Sequence, residues 1–212
     1  MTIQVFEVGP FAENTYLMME EGHALLLDPG FSTESEYNRF RDALEKSGST
    51  LDHILLTHAH VDHALGLSRV LRDADVPVWL NDSDYTLWNQ FEQQSAMFGI
   101  RTSGFDFTPR VLSEKEGFQS GPFQFQVLYT PGHSPDHVSL YHKDEGVLFG
   151  GDALFKGSIG RTDLYKGSFE VLETSIREKL YTLPDETRVL PGHGPETTIG
   201  EEKQSNAFVR GV

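Results

Sequence analysis

The chain has 212 residues, with 17 Lys and Arg against 32 Asp and Glu for a formal net charge of −15. A surface this acidic, interrupted by no Lys/Arg cluster, repels phosphate backbones and anionic lipid headgroups, which argues against nucleic-acid and membrane partners. At 38% hydrophobic residues there is enough apolar material for a sizeable core, while the absence of Cys removes disulfides, thiolate metal sites and a Cys nucleophile.

The first segment, Met1-Thr2-Ile3-Gln4-Val5-Phe6-Glu7, has neither the basic nor the apolar region of a secretion signal. No run approaches the roughly 18 apolar residues of a membrane span, so a cytoplasmic protein is expected. Short strands are predicted from Ile3 to Val8, Thr15 to Met18 and Ala24 to Leu27, the last ended by Asp28-Pro29-Gly30. Ser32 and Thr33 are N-cap candidates for a helix carrying Tyr37, Phe40 and Leu44 on one face, and Gly48 stops it. A buried strand at Ile54 to Leu56 leads into a His-rich segment and then a helix through Ala64, Leu67, Val70 and Leu71. Pro77 to Leu80 reads as strand and 82–98 as helix, with Tyr85, Trp88 and Phe91 on one side. Gly99 to Pro109 is irregular; Phe105 and Phe107 within it, and Phe98 before it, either line an entrance or fill core, and core is preferred. Strands resume at Phe123 to Leu128, His137 to His142 and Gly146 to Phe149, followed by a helix over Phe169 to Leu180 and a strand at Arg188 to Leu190.

No linker, low-complexity stretch or charge block interrupts this pattern, so a single domain over 1–212 is expected. Strands mixed with helices in both halves indicate an α/β class with two sheets and outer helices. One internal echo hints at related halves: Leu25-Leu26-Leu27-Asp28-Pro29-Gly30 and Val147-Leu148-Phe149-Gly150-Gly151-Asp152 both run an apolar strand into a Gly/Asp turn.

Nine His in a chain without Cys is the unusual count, and their placement carries the chemistry. Thr57-His58-Ala59-His60-Val61-Asp62-His63 packs four ligand-type side chains at the end of an apolar strand. A solvated loop gains nothing from that density, whereas a divalent cation needs imidazole and carboxylate donors converging from a rigid base. Three more donors stand beside Gly at predicted strand ends: Pro131-Gly132-His133, Gly150-Gly151-Asp152 and Pro191-Gly192-His193. Five His and two Asp are the inventory of two adjacent metals.

These residues resemble the metallo-β-lactamase superfamily, whose signature His-x-His-x-Asp-His is followed by a distal His, an Asp and a last His; here these are His58, His60, Asp62 and His63, then His133, Asp152 and His193. Asn14-Thr15-Tyr16, Asp28-Pro29-Gly30, Gly160-Arg161-Thr162-Asp163 and Pro191-Gly192-His193-Gly194-Pro195 are similar to the glyoxalase II branch, in particular its short bacterial members. The resemblance implies an αββα sandwich of two mixed β-sheets with outer helices. It puts His58, His60 and His133 on one metal and Asp62, His63 and His193 on the other, with Asp152 bridging. The implied cofactors are two divalent ions, zinc first, with iron and manganese open on the same ligands. His23, His53 and His142 fall outside the pattern and read as surface or structural, and His137 either supports the ligands from behind or is simply packed.

The implied chemistry is attack by a metal-bridging hydroxide, formed because coordination lowers the pKa of water toward roughly 7. Asp62 would be both ligand and the group orienting that water. The implied activity is hydrolysis of an S-acylglutathione or similar acyl-thiol to acid and thiol, a small-molecule anionic thioester being the partner. Arg161 stands where the branch places a basic substrate-binding residue, and is either a clamp for a substrate carboxylate or a structural ion-pair partner; Lys156 is a further cation close to the site in sequence. Two features depart from the long glyoxalase II enzymes: the sequence shows no C-terminal helical domain, and Asp163 replaces an aromatic residue that helps hold glutathione. The runner-up is a persulfide dioxygenase-like enzyme with one iron on His58, His133 and Asp152. A β-lactamase ranks lower because no export signal is present, a nuclease because of the charge, a flavin-linked reductase because of the length, and a non-catalytic scaffold because no ligand is broken.

Overall fold

The computed structural model describes residues 1–211 of the chain. By internal contacts the chain divides into two compact units, Met1–Leu112 with Ser120–Phe123, and Ser113–Gln119 with the chain from Gln124 onward.

The first unit begins with three antiparallel strands, β1 (Thr2–Val8), β2 (Glu13–Glu20) and β3 (His23–Leu27). Helix α1 (Glu34–Ser47) then crosses over, and β4 (Thr50–Leu55) returns parallel to β3. The start of α1 follows from its sequence. Thr33 accepts the Glu36 amide while Glu36 reaches back to the Thr33 amide, a reciprocal cap that satisfies two helix-end donors, and Gly48 closes the helix at φ 68°. Glu36 also accepts from the amides of Gly9 and Ser32. Burial opposes its charge, but these hydrogen bonds outweigh burial and its pKa is lowered. Tyr37 and Phe40 turn inward against Phe31, whose ring stacks on Phe40 at 5.3 Å.

Two further parallel strands, β5 (Val78–Leu80) and β6 (Arg110–Val111), complete a mixed sheet in the order β1-β2-β3-β4-β5-β6. The helix predicted through Ala64 to Leu71 is two pieces, α2 (Val61–Ala64) and α3 (Leu67–Asp73). They are split at Leu65-Gly66, where Phe31 packs so closely that a Cβ on Gly66 would meet its ring at 2.7 Å. Residues 82–98 likewise form α4 (Thr86–Asn89) and α5 (Phe91–Met97), interrupted at Gln90. In the irregular stretch that follows, Phe105 and Phe107 pack on Trp88 and the core, as preferred, whereas Phe98 is half exposed.

The second sheet runs β14-β13-β10-β9-β8-β7, with β7 (Phe118–Ser120), β8 (Phe123–Tyr129), β9 (Val138–His142), β10 (Val147–Gly151), β13 (Arg188–Pro191) and β14 (Thr197–Thr198). Between β10 and β13 lie a small hairpin, β11 (Leu154–Phe155) with β12 (Ser158–Ile159), and helix α6 (Phe169–Ser175), which continues through a π-helical turn at Ile176–Leu180. Helix α7 (Ile199–Ser205) follows β14. The echo seen in the sequence is real in topology. In each unit an antiparallel pair (β2/β3, β9/β10) is followed by a helix-containing crossover to a parallel strand (β4, β13), and the echoed Gly/Asp turn ends the strand before the crossover. Among the described residues no helix is long and apolar enough to cross a membrane.

Thr33→Ala should lower the stability of α1 by about 1 kcal/mol, read as a lower urea midpoint at unchanged slope. An unaltered midpoint would mean that Glu36 alone holds the helix start.

Candidate metal centre

In the first unit the donors emerge just past β4. The Asp28 carboxylate, 1% exposed, accepts the Thr57 amide on Oδ1 and the Thr57 hydroxyl on Oδ2, each at 2.7 Å. Because that hydroxyl proton is used on Asp28, the 3.0 Å contact between Thr57 Oγ1 and His58 Nδ1 places the imidazole proton on Nδ1 and leaves Nε2 as the donor atom. His58 Nε2 lies 3.0 Å from His60 Nδ1. That is close to the separation of about 3.3 Å between two nitrogens bound tetrahedrally to one zinc at 2.0–2.1 Å. His63 is fixed from behind by the same Asp28 Oδ2, 3.0 Å from its Nδ1, and its Nε2 is 4.0 Å from Asp62 Oδ2. Within the loop His58 Nε2 thus approaches His60 and His63 Nε2 approaches Asp62, while the His58 and His63 rings lie 4.1 Å apart between them.

A second layer lies beneath Asp28. Thr15 Oγ1 sits 2.7 Å from the Asp28 carbonyl and 2.8 Å from Glu13 Oε2, and it accepts the Gly30 amide at 3.0 Å. The Thr15 hydroxyl thus has the Asp28 carbonyl and the Glu13 carboxyl as its two acceptors. Burial pushes the Glu13 carboxyl well above the usual range against the opposing pull of His63. Ligand atoms of Glu13, Asp28 and His63 lie within 4.8 Å of one another, and Asp28 is already engaged by Thr57 and His63. A Cβ on Gly30 would fall 2.2 Å from Glu13 Oε2 and 2.5 Å from the Asp62 carbonyl, so Gly alone admits the ligand loop at this point.

In the second unit Asp152 follows directly from β10. A bulge at Gly150 shifts the pairing with β13, and Gly151 at φ 51° turns the chain so that Asp152 leaves the strand. Its backbone amide donates to His137 Nε2 at 2.9 Å, which requires that His137 carry its proton on Nδ1, 2.8 Å from Thr130 Oγ1. His137 therefore holds the Asp152 backbone, the supporting role left open by the sequence. Asp152 Oδ2 lies 3.5 Å from His133 Nε2 and 3.6 Å from His193 Nε2. His133 Nδ1 is 2.8 Å from the Arg161 carbonyl, which can only accept, so Nε2 is the atom left for a metal. Gly160 makes this approach possible: a Cβ there would stand 1.8 Å from the Asp152 carbonyl and 3.1 Å from His133 Nδ1.

The donor set fits a divalent metal. Imidazole tautomers are fixed toward Nε2 at His58 and His133, carboxylates lie beside them, and glycine leaves space at each group. The other His are structural. His23 pairs with Asp52, His53 bonds Ser120 and accepts from Trp79, and buried His142 accepts the Glu145 amide and packs edge-on against Phe125. Lys156 is exposed in the β11–β12 turn. Arg161 adopts the ion-pair alternative, donating to Asp163 at 2.7 and 2.8 Å, and this pairing holds the Asp163 carboxyl down at about 2. Sequence reading passed over Thr57, Glu13 and the structural role of Asp28; Asp28 was visible only as part of a turn.

The family model of the metallo-β-lactamase superfamily matches residues 8–193, and the chain belongs to that superfamily. Its two mixed sheets with helices are the metallo-β-lactamase fold. Among curated relatives, it is 40% identical to the probable metallo-hydrolase YqgX of Bacillus subtilis, over 96% of this chain and 95% of that one. It is 36% identical to the hydroxyacylglutathione hydrolase GloC of Haemophilus influenzae, over 99% and 98%. Among solved structures, the B3 metallo-β-lactamase BLEG-1 superposes with a TM-score of 0.89 at 35% identity, covering 98% of this chain and 99% of that one. TTHA1623 in a di-iron-bound form gives 0.86 at 37%, covering 97% and 100%.

His137→Ala should weaken zinc binding about 10- to 100-fold, measured by competition with a chromophoric chelator, while the far-UV spectrum is retained. Unchanged affinity would show that the Asp152 backbone is held without it.

Proposed function

We propose that this protein is a glyoxalase II-like thioester hydrolase that cleaves S-acylglutathione or a similar acyl-thiol to acid and thiol. The observation carrying this reading is the placement of one carboxylate oxygen, Asp152 Oδ2, almost equally between two imidazole nitrogens, 3.5 Å from His133 and 3.6 Å from His193. A shared carboxylate is what a pair of ions requires. Full-length similarity to a hydroxyacylglutathione hydrolase supports the substrate class.

Under this reading His58, His60 and His133 would hold one divalent ion and Asp62, His63 and His193 the other, with Asp152 available to both. Zinc is the first choice; the di-iron form of a similar structure supports iron as the alternative. Bound divalent ions would supply acidification of water toward a pKa of roughly 7 and polarisation of the thioester carbonyl. The residues do the rest. Asp62, at the first turn of α2, accepts a hydrogen bond from the attacking water and so aims its lone pair at the acyl carbon. Asp28, Thr57 and the Arg161 carbonyl keep His63, His58 and His133 from rotating, so the donors need no rearrangement as charge develops. The departing thiolate is a weak base with a conjugate acid near pKa 8.5, so no strong general acid is needed. The exposed cations Lys156 and Arg161 are assigned to substrate binding, Arg161 through an exposed pair with Asp163 that an anionic thioester can displace.

Metal content measured on protein purified without added metal, together with assays of S-lactoylglutathione hydrolysis, β-lactam hydrolysis and O2 uptake with glutathione persulfide, tests the assignment. Two divalent ions per chain with thioester turnover is the expected outcome. One iron with O2 uptake, or turnover of the β-lactam alone, overturns it. Asp152→Ala should lose metal and thioester activity while remaining folded; retained full activity would remove its shared role.

A further inference from the structure

We propose that Asp163 sets the substrate range by competing with anionic substrates for Arg161. The inference rests on the thioester-hydrolase reading and assigns it a specificity-determining residue. A planar guanidinium grips a carboxylate best through two parallel hydrogen bonds. On Arg161 that fork is filled from within the chain: Nε donates to Asp163 Oδ1 at 2.7 Å and Nη2 to Oδ2 at 2.8 Å.

The pair serves no core. Arg161 and Asp163 side chains are 59% and 67% exposed, so neither charge is buried and dependent on the other. Exposed pairs of this kind are weak and can be displaced. The backbone of the same residue serves the candidate metal centre, since the Arg161 carbonyl accepts from His133 Nδ1 at 2.8 Å. A carboxylate gripped side-on through Nε and Nη2, the edge that Asp163 now fills, must first displace Asp163. The same loop exposes apolar side chains, Leu164 at 37% and Tyr165 at 41%, with Phe169 at 37% just beyond. A neutralised arginine beside apolar surface suits uncharged acyl-thiols as well as anionic ones, and narrows the advantage that a free arginine would give the latter.

The test compares wild type with Asp163→Asn and Asp163→Glu on two thioesters, anionic S-lactoylglutathione and uncharged S-acetyl-N-acetylcysteamine, with metal content verified for each protein. Binding of the non-hydrolysable S-methylglutathione is measured in parallel by calorimetry at low and high salt. From the measured range for exposed pairs, Asp163→Asn should raise the ratio of kcat/KM for the anionic over the uncharged thioester about two- to fivefold. It should tighten S-methylglutathione binding by a similar factor at low salt. Asp163→Glu should restore the wild-type ratio, and the gain should vanish when Asp163→Asn is made in an Arg161→Ala background. An unchanged or lowered ratio, an equal change for both thioesters, or failure of S-methylglutathione to bind overturns the proposal. If neither thioester is hydrolysed, the hydrolase reading fails, and S-methylglutathione binding still decides the role of Asp163.

Discussion

One buried carboxylate holds the ligand loop of the first unit to its sheet. Asp28 ends β3 in the left-handed region at φ 50°, a conformation Asp tolerates better than most side chains, and its amide still donates to Leu55 on the neighbouring strand. From there its two oxygens take the amide and hydroxyl of Thr57 and the Nδ1 edge of His63. Three polar groups that would otherwise be costly to bury are thereby satisfied at once, and the imidazoles after β4 acquire fixed tautomers. Thr15 and Glu13 close the network below. The second unit solves the same problem differently. There the left-handed residue is Gly151, and the ligand that follows is steadied through its backbone by His137.

Much of this was legible where chemistry is written in runs of residues. The apolar stretches Ala24 to Leu27 and Val147 to Phe149 could hardly be anything but buried strands, and of the two N-cap candidates Ser32 and Thr33 it is Thr33 that caps α1, with Gly48 closing it as expected. The metal donors stood out because their order and spacing have no other use. What the sequence hid was of two kinds. Two-residue strands such as β11, β12 and β14 are too short for any periodicity, and apolar spacing continued unbroken through the helix breaks at Gly66 and Gln90. The π turn, in which the Tyr181 amide bonds Ile176, was hidden likewise, since one extra residue per turn leaves no mark on a short apolar pattern. The other hidden kind was support. Thr57 and Glu13 act through single hydrogen bonds between segments distant in sequence, which no local pattern records.

Charge separates into two scales. The excess of 15 negative charges describes the average surface and speaks against polyanionic partners. Locally the sign differs, and the exposed Arg161 holds an anion already belonging to the chain. The carbonyl of that same residue orients His133, so the proposed substrate contact and the proposed metal ligand draw on one residue. With no Cys in the chain, and the motif His assigned to metal, the proposed hydrolysis leaves water as the nucleophile.

The central claim is that Asp152 is a common ligand of two ions, and magnetic coupling tests it most directly. Metal-free protein loaded with two equivalents of Mn2+ should give the electron paramagnetic resonance spectrum of an exchange-coupled pair, and Asp152→Ala should abolish that coupling. A single ion per chain, or two ions whose spectra remain independent in the wild type, would contradict it.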